Sequence, residues 1–446
     1  MKKTGFVAVS LMLGASLALS ACGSGNAGNA NKGTEASATN AAGTNNSAGQ
    51  NATKEPAAEP VTVTLAGWGS SPEEQDLLNQ TLKEFEAKYP NVKVKYEVIA
   101  DQYMDVIKTR LIGGEGPDVF YLDAFEAPGL IERNVLEPLD SYVTPEFDVA
   151  DFEQPMVDAF KKDGVSYGFP KDFSTLAMFY NKKDFAEAGI TSPPATWDEL
   201  REDAIKLTKK DGGKTVRYGF GVAPELARQM FMLQAFGGKV SDEEGNATFA
   251  SPEALKGLQL VTDMHGTDKS SGEPKEVGAG WGGEMFGQGK ASIVFEGNWA
   301  IPFLDANYKD LDYGTAELPS VNGKKGTMAF TVAYVMNKQS KQKEAAWQLI
   351  SYLTGKEGMK TWTSKGFALP TRKSVAQGLG YDKDELRGAL VAGASYATPW
   401  QAGSTLPTIT NNFNNQFVDA FMGNSKLEDA MKKAEDVANK EIKAAK

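Results

Sequence analysis

Hydrophobic periodicity in the first part of the folded region limits the chain to few folds. Residues 61–65 alternate apolar and polar side chains as a half-buried strand does, and residues 72–89 carry apolar side chains at helical spacing. Residues 92–98 alternate again, residues 103–111 predict a second helix, and residues 118–122 are typical of a buried strand. The order strand, helix, strand, helix, strand favours a parallel sheet with right-handed crossovers.

Candidate ligand-binding side chains follow the first and third of these predicted strands. Trp68 and Ser70 come after the first strand, and Asp123 comes after the third. Ligands of open parallel sheets bind beyond the carboxyl ends of the strands. An indole has a flat stacking face and a carboxylate accepts hydrogen bonds, which suits a ring with hydroxyl groups. Two alternatives stay open, because Trp68 could instead pack between lobes and Asp123 could cap a helix.

A second α/β region follows. Residues 171–174 form a polar interruption before an apolar strand predicted over residues 175–180, and Thr196–Glu199 has the pattern of a capping box. Another strand is predicted over residues 291–295. Trp299 follows it and is either a platform for a ligand or a core residue, while Gly297 permits close approach of a ligand to the backbone.

The folded region is too long for one ordinary hydrophobic core and predicts two lobes. The chain is expected to return to the first lobe at residues 312–319 and 327–336 and to cross once more at residues 367–372. The predicted parts are a first lobe of residues 60–169 and 319–368 and a second lobe of residues 170–318 and 369–446.

The amino terminus has the pattern of an export signal. A basic start at Lys2 and Lys3 precedes a short apolar run that ends at Ala21 and Cys22. The run is shorter than the ~20 residues that cross a bilayer, which predicts a signal peptide over residues 1–21. It resembles the bacterial lipobox, which implies that Cys22 is lipidated and begins the mature protein. Residues 22–59 are rich in Ala, Asn, Gly, Ser and Thr and predict a disordered tether.

Composition excludes several kinds of chemistry. Cys22 is the only cysteine and His265 the only histidine, so intramolecular disulfides, thiolate clusters and the HExxH zinc motif are excluded. Residues 278–283 match GxGxxG, but no strand precedes them and Trp281 would obstruct a dinucleotide phosphate. The net charge of −11 argues against nucleic acid as a partner. We expect no metal and no cofactor.

Six fragments carry a family resemblance, and they are YPNVKVKYE, GPDVFYLD, YGFPKDFSTLAMFYNK, PPATWDEL, GKASIVFEGNW and YLTGKEG. In this order and spacing they are similar to bacterial extracellular solute-binding proteins of the family that includes maltose-binding protein. The resemblance covers nearly everything from Val61 onward. It implies a type II periplasmic-binding-protein-like fold, with two α/β lobes of mainly parallel sheets joined by a multi-stranded hinge.

The resemblance also implies a function. The lobes would close over a maltose-type sugar or other oligosaccharide, and the protein would deliver it to an ABC transporter permease with a cytoplasmic ATPase. It would act as a monomer, lipid-anchored at the outer face of the cell membrane, on the periplasmic side in a Gram-negative cell. The residues matched to the cleft are Trp68, Asp123, Lys171, Asp172, Gly297 and Trp299, together with Trp281, Tyr334, Arg372 and Trp400; around Trp400 the sequence departs from the maltose-binding pattern.

Two other classes of function remain as alternatives. In a secreted glycoside hydrolase, carboxylates such as Asp123, Asp172 and Glu284 would form an acid and nucleophile pair ~5 to 9 Å apart. Carboxylates are also common in sugar-binding clefts, because each accepts several hydrogen bonds from hydroxyl groups. A cell-surface adhesin would need exposed repeats or a partner-binding patch, and the sequence has neither feature. The sequence therefore favours a binding protein that is not an enzyme.

Overall fold

The computed structural model describes residues 60–68 and 72–445. The predicted signal peptide, Cys22, the tether and Ser70 lie outside these residues. Within the described part of the chain, no helix is long and apolar enough to cross a membrane.

Fourteen strands form in the described residues, and they are β1 (Val61–Trp68), β2 (Val92–Ile99), β3 (Val119–Asp123), β4 (Lys161–Lys162), β5 (Val165–Ser166), β6 (Gly168–Thr175), β7 (Ala177–Asn181), β8 (Lys209–Asp211), β9 (Lys214–Gly221), β10 (Ser271–Gly272), β11 (Ala291–Glu296), β12 (Tyr313–Ala316), β13 (Thr327–Met336) and β14 (Ala397–Pro399).

Sixteen α-helices connect and cover the strands in the same residues, and they are α1 (Pro72–Lys88), α2 (Tyr103–Gly113), α3 (Ala127–Glu132), α4 (Gln154–Asp158), α5 (Lys182–Glu187), α6 (Trp197–Leu207), α7 (Leu226–Ala235), α8 (Pro252–Gly266), α9 (Gly282–Gly287), α10 (Ala300–Asn307), α11 (Lys343–Leu353), α12 (Lys356–Thr363), α13 (Lys373–Leu379), α14 (Gly388–Gly393), α15 (Leu406–Phe421) and α16 (Leu427–Ala445). Short 3₁₀ helices occupy Asp140–Tyr142, Pro145–Phe147, Val149–Asp151 and Pro274–Val277.

The first sheet confirms the predicted order of strands and helices. Its strand order is β14-β13-β3-β1-β2, and β6 also pairs with β13. β1 lies parallel to both β2 and β3, with α1 and α2 as the connections between them. β13 runs antiparallel to β3 and β6. The first sheet therefore combines a parallel block from the start of the chain with strands that come from much later positions.

The second sheet is buried on both faces. Its strand order is β10-β9-β11-β7-β12, with β8 paired to β9. Met178 and Ile293 pack into one hydrophobic cluster, while their chain neighbours Phe179 and Val294 pack into another. Because successive side chains of a strand point to opposite faces, the two clusters cover the two sides of this sheet. The first sheet has a core of its own, which includes Phe85 and Phe120.

The predicted capping box at Thr196 is confirmed. The Thr196 hydroxyl accepts a hydrogen bond from the Glu199 N–H at 3.3 Å, and the Glu199 carboxylate accepts one from the Thr196 N–H at 3.2 Å. These bonds satisfy donors that the first turn of α6 would otherwise leave free.

The segment at residues 171–174 differs from its prediction as a polar interruption. It is part of β6, which pairs with β13 of the first sheet, and β7 of the second sheet begins two residues after β6 ends. Its polar side chains fit a strand because they line a cavity, as shown below. Residues 313–316 form an edge strand of the second sheet rather than a return to the first. β14 pairs with β13 and so belongs to the first sheet. The predicted lobe boundaries stay a prediction.

Candidate functional site

The cavity that contains most of the predicted site residues, the main cavity, has a volume of about 200 Å³ and is lined mostly by strands of the first sheet. Its wall is formed by β1, β2, β3, β6 and β13, by α1 and α12, and by the segments around residues 299 and 367. Aromatic rings dominate the wall, and they belong to Trp68, Tyr96, Tyr121, Phe173, Trp299, Phe330, Trp362 and Phe367. The charged residues in the wall are Glu74, Lys171 and Asp172. Flat apolar rings around a few charged groups form a surface suited to polar rings with apolar faces.

Trp68 is the last residue of β1, and its ring packs against two tyrosines. Its ring meets those of Tyr103 and Tyr121 edge to face, with the centroids 5.2 Å apart in both pairs. Gly67 leaves room for this stack, because a Cβ at that position would lie 2.7 Å from the Tyr121 ring. The side chain of Trp68 is only partly buried. Trp68 thus packs within the core of the first sheet rather than between lobes, and it also lines the cavity, so its ligand role stays a prediction.

Lys171 and Asp172 form a buried ion pair in the cavity wall, with 4% and 9% of their surface exposed. The Trp362 Nε1–H donates a hydrogen bond to Asp172 Oδ2 at 2.8 Å. The Lys171 Nζ lies 4.0 Å from the centre of the Trp362 ring and 4.9 Å from that of Tyr121. Buried charges need partners of this kind, because each loses its hydration. The pair is therefore preformed and faces the cavity.

A β-bulge explains how two consecutive side chains reach one cavity. In the pairing of β6 with β13, Asp172 lies opposite Val332 and Pro170 lies opposite Ala333, so Lys171 is an extra residue on β6. A regular strand would send Lys171 and Asp172 to opposite faces. The bulge redirects the backbone, and both side chains line the cavity.

Trp299 lies across the main cavity and is held at three points. Its Nε1–H donates a hydrogen bond to Glu296 Oε2 at 3.1 Å, and its ring meets Phe330 edge to face at 5.5 Å. The ring also covers Gly297, where a Cβ would lie 2.2 Å from it. The missing side chain of Gly297 therefore makes room for the Trp299 indole. The expectation that Gly297 also lets a ligand approach the backbone stays a prediction.

Asp123 lies near the main cavity but does not line it. Its Oδ1 accepts a hydrogen bond from the Phe125 N–H at 2.8 Å, as a turn-stabilising carboxylate does. Burial raises the pKa of Asp123 to about 6, against the lowering effect of this hydrogen bond. Asp123 therefore stabilises a local turn, and its ligand role stays a prediction.

Tyr334 and Trp400 are packing residues in this structure. Tyr334 is 2% exposed, and its ring meets that of Tyr121 at 5.3 Å, behind the cavity wall. Trp400 is 9% exposed and stacks on Phe125 at 5.7 Å. Neither lines the main cavity, and both rings bury apolar surface. Their ligand roles stay predictions.

Arg372 also has a structural position, with 1% of its surface exposed. Its guanidinium donates hydrogen bonds to the carbonyl oxygens of Phe147, Asp148 and Thr354 at 2.7, 3.0 and 2.6 Å. The same group lies 3.9 Å from the centre of the Phe152 ring. Because its donors are used inside the protein, Arg372 joins three backbone segments instead of meeting a ligand. This corrects the role that the resemblance implied.

Trp281 lines a second cavity of about 390 Å³ instead of the main one. Its ring meets Phe303 edge to face at 4.8 Å. The other walls of the second cavity include Glu225, Arg228 and Lys275. The structure thus brings together four of the predicted side chains, those of Trp68, Lys171, Asp172 and Trp299, and places Trp281 apart from them.

Glu284, considered above as part of a hydrolase pair, supports the start of α9. Its carboxylate accepts hydrogen bonds from the Gly280 N–H at 2.6 Å and the Gln288 side chain at 3.0 Å. It does not line the main cavity. Residues 60–68 and 72–445 contain no cluster of three or more His, Cys, Asp or Glu side chains that could hold a metal ion.

Four further aromatic residues line the main cavity although no sequence pattern selected them, and they are Trp362, Tyr96, Phe330 and Phe367. Trp362 lies on α12, where helical spacing predicts only burial. Tyr96 alternates with apolar residues of β2 and was indistinguishable from them. A search for aromatic residues near the ends of elements would have selected Phe367, which lies in the loop after α12, but it would not have selected Phe330 within β13.

Comparison with known proteins decides the family. The sequence profile of the bacterial extracellular solute-binding proteins matches residues 69–360, more than half of the chain. The chain belongs to this family. A putative binding protein of Brucella abortus (strain 2308) is 30% identical over 308 residues, which are 66% of this chain and 72% of that protein. The maltotriose-binding protein of Pyrococcus abyssi is 26% identical over 308 residues, 64% of this chain and 60% of that protein.

Solved structures give the same assignment for this solute-binding protein. An ABC substrate-binding protein from Listeria monocytogenes in complex with cycloalternan has a TM-score of 0.73 and 25% identity, covering 86% of this chain and 99% of that one. A cyclo/maltodextrin-binding protein complexed with maltotetraose has a TM-score of 0.75 and 22% identity, covering 86% and 98%. The fold is the two-lobe type II fold of periplasmic solute-binding proteins. These relatives and neighbours are substrate-binding proteins, not enzymes.

Proposed function

We propose that this protein captures a maltose-type sugar or other oligosaccharide outside the cytoplasm and delivers it to the permease of an ABC transporter. The observation that carries the proposal is the main cavity, where aromatic rings surround the Lys171–Asp172 pair. The Trp68 and Trp299 rings can cover the CH faces of a pyranose. The Asp172 carboxylate can accept hydrogen bonds from the sugar hydroxyl groups, and the Lys171 ammonium group can donate hydrogen bonds to them.

The names of several relatives support the choice of ligand. They include a maltotriose-binding protein, an arabinooligosaccharide-binding protein and a diacetylchitobiose-binding protein. These sugars differ in ring type and linkage, so the relatives support an oligosaccharide without selecting one. The side chains of the cavity wall would select among them.

Attachment to the membrane is the second part of the proposal. Lipidation of Cys22 would hold the protein at the outer face of the cell membrane, and residues 22–59 would let the lobes reach the permease. Closure of the lobes around the sugar would let the permease distinguish the loaded protein from the empty one.

A thermal-shift screen tests the proposed ligand. The soluble protein without residues 1–22 is heated with glucose, maltose, maltotriose, maltotetraose, arabinotriose, chitobiose and mannobiose. A sugar at 100 times its dissociation constant adds about 2.7 kcal/mol to the free energy of unfolding, enough to raise the melting temperature measurably. The matched control is the Trp299→Ala variant, whose melting temperature should rise much less with the same sugar. A panel that leaves the wild-type melting temperature unchanged up to millimolar concentrations would contradict the proposal.

A further inference from the structure

Glu296 connects the walls of the two cavities. It stands at the end of β11 with 0% of its surface exposed. Its Oε2 accepts a hydrogen bond from Trp299 Nε1 at 3.1 Å and another from Arg228 Nη2 at 2.9 Å. Trp299 lines the main cavity and Arg228 lines the second cavity. One carboxylate oxygen is therefore shared by a wall residue of each.

The hydrogen bonds of Glu296 continue through Arg228 to an exposed side chain in the second cavity. Arg228 Nη1 donates a hydrogen bond to Glu225 Oε2 at 2.8 Å. The Glu225 side chain is 51% exposed and also lines the second cavity. A continuous path of hydrogen bonds thus runs from Glu225 through Arg228 and Glu296 to Trp299.

Because Glu296 is buried and Arg228 is mostly buried, their positions depend on the hydrogen bond that Arg228 makes with the exposed Glu225. Glu296 Oε1 and Arg228 Nε are both buried and have no hydrogen-bond partner among the described residues. Glu296 Oε1 lies against Gly282, where a Cβ would be 2.3 Å away, so the carboxylate fits a space that only glycine leaves. Glu296 has 0% of its surface exposed, and its other hydrogen-bond donor is Trp299, so a shift of the Arg228 guanidinium is passed to the Trp299 indole through the shared carboxylate.

We propose that Glu296 is a positioning residue that couples the two cavities, so that engagement of Glu225 or Arg228 by a sugar unit in the second cavity resets the Trp299 ring in the main cavity. Because this rests on the proposed function, the ligand would be an oligosaccharide long enough to reach both cavities. The lining of the second cavity includes the amide side chains of Asn414 and Asn415 and the ring of Trp281, which together fit a hydroxyl-rich unit.

The coupling is tested without any sugar by nuclear magnetic resonance of the indole N–H groups in protein labelled with ¹⁵N-tryptophan. The Trp299 resonance is identified by its loss in Trp299→Phe. Glu225→Gln, a substitution at the exposed end of the path, should shift this resonance, and Glu296→Gln should shift it further. The matched control is Glu253→Gln, an exposed carboxylate on α8, which should leave it in place. Because Glu225 is exposed, the Glu225→Gln result decides the test even if Glu296→Gln does not fold.

An unmoved Trp299 resonance in Glu225→Gln would overturn the coupling, even if Glu296→Gln moved it. Calorimetry with maltose and maltotriose then tests the ligand. The gain in affinity from the longer sugar should be about fivefold smaller in Glu225→Gln than in the wild type, the effect of one net hydrogen bond. An equal gain in both proteins would overturn the role of the second cavity. If neither sugar bound, the maltose-type ligand would fail while the resonance data still decided the coupling.

Discussion

The indole of Trp362 donates a hydrogen bond to Asp172 across 190 positions of the chain, at 2.8 Å. This bond joins α12 to β6, the strand that leads into the second sheet. The same ring covers the Lys171 ammonium group, so one helix residue stabilises both members of the buried pair. The polar centre of the main cavity is thus fixed before a ligand arrives, which reduces the entropy lost on binding.

Removal of one charge from this pair should destabilise the protein. Asp172→Asn leaves the Lys171 ammonium group buried without a counterion, and we expect a loss of about 3–5 kcal/mol in the free energy of unfolding. The double variant Lys171→Met/Asp172→Leu should regain most of that loss but should not bind sugar. Urea denaturation measures the first effect and calorimetry the second. As a control, Glu357→Gln breaks an exposed pair with Lys88 and should change stability by less than about 1 kcal/mol. Equal effects of Asp172→Asn and Glu357→Gln would contradict the assigned role.

Truncation of Trp299 tests whether its ring is a platform for a ligand or a residue of the hydrophobic core. Trp299 is partly buried and lines the main cavity, so Trp299→Ala should lower sugar affinity at least about tenfold, or 1.4 kcal/mol. Its effect on unfolding should be well below the 3–5 kcal/mol expected for a core tryptophan. Trp197→Ala is the matched control, because Trp197 is 4% exposed and packs in the core of the second sheet. Large destabilisation of Trp299→Ala with near-normal affinity would count against a platform.

Asp123 should make stability depend on pH. Burial raises its pKa from 3.8 to about 6 in the folded state, so the folded protein holds this proton more tightly than the unfolded chain. The stabilising contribution is complete below pH 3.8 and is lost as the pH rises through about 6. Relative to Asp123→Asn, the wild type should lose up to about 3 kcal/mol between these pH values. Denaturation curves at several pH values measure this. Asp310→Asn, an exposed control, should show no such trend; a flat difference for Asp123→Asn would refute the assignment.

Ligand binding should bring the lobes together. β6 continues into β7 of the second sheet, and the chain returns to the first sheet at β13, so the connections can bend without separating the lobes. The radius of gyration measured by small-angle X-ray scattering should fall when a sugar selected by the thermal-shift screen saturates the protein. Trp299→Ala at the same sugar concentration should keep the larger radius. An unchanged scattering curve for the saturated wild type would exclude closure.

The anchor is tested by Cys22→Ser. If the lipid on Cys22 supplies the strong apolar attachment, the variant should leave the membrane fraction and appear in the soluble fraction. Immunoblots of the two fractions from cells that express either form give the measurement. Asn51→Ser, within the same tether, should remain with the membrane. A Cys22→Ser protein that stays membrane-bound would refute lipidation as the anchor.

Local patterns predicted the first half of the first sheet well. The apolar spacing of α1 and the alternation of β1 and β2 depend on neighbours within a few positions, and the structure has these elements where the sequence indicated them. The capping box at Thr196 is equally local. Trp68 and Trp299 could be selected because each comes where a strand ends or shortly after it.

The rest of the site depends on contacts between distant residues. The bulge at Lys171 exists only in the pairing with β13, and residues 171–174 alone look like a break in a strand. Arg372 resembles a ligand-binding arginine in sequence, but its partners Phe147 and Asp148 come from more than 220 positions earlier. Local periodicity cannot distinguish such a buried structural arginine from one that faces a cleft, because both follow similar polar segments.

The discontinuous first sheet also affects synthesis of the protein. β1, β2 and β3 are complete by residue 123, but their neighbour β13 ends at residue 336 and β14 at residue 399. A chain that lacks the residues of β13 therefore has β3 with an unpaired hydrogen-bonding edge. Such an edge is a template for wrong pairing with another chain. A nascent chain released before residue 336 would keep that edge exposed, which makes premature termination a source of aggregation.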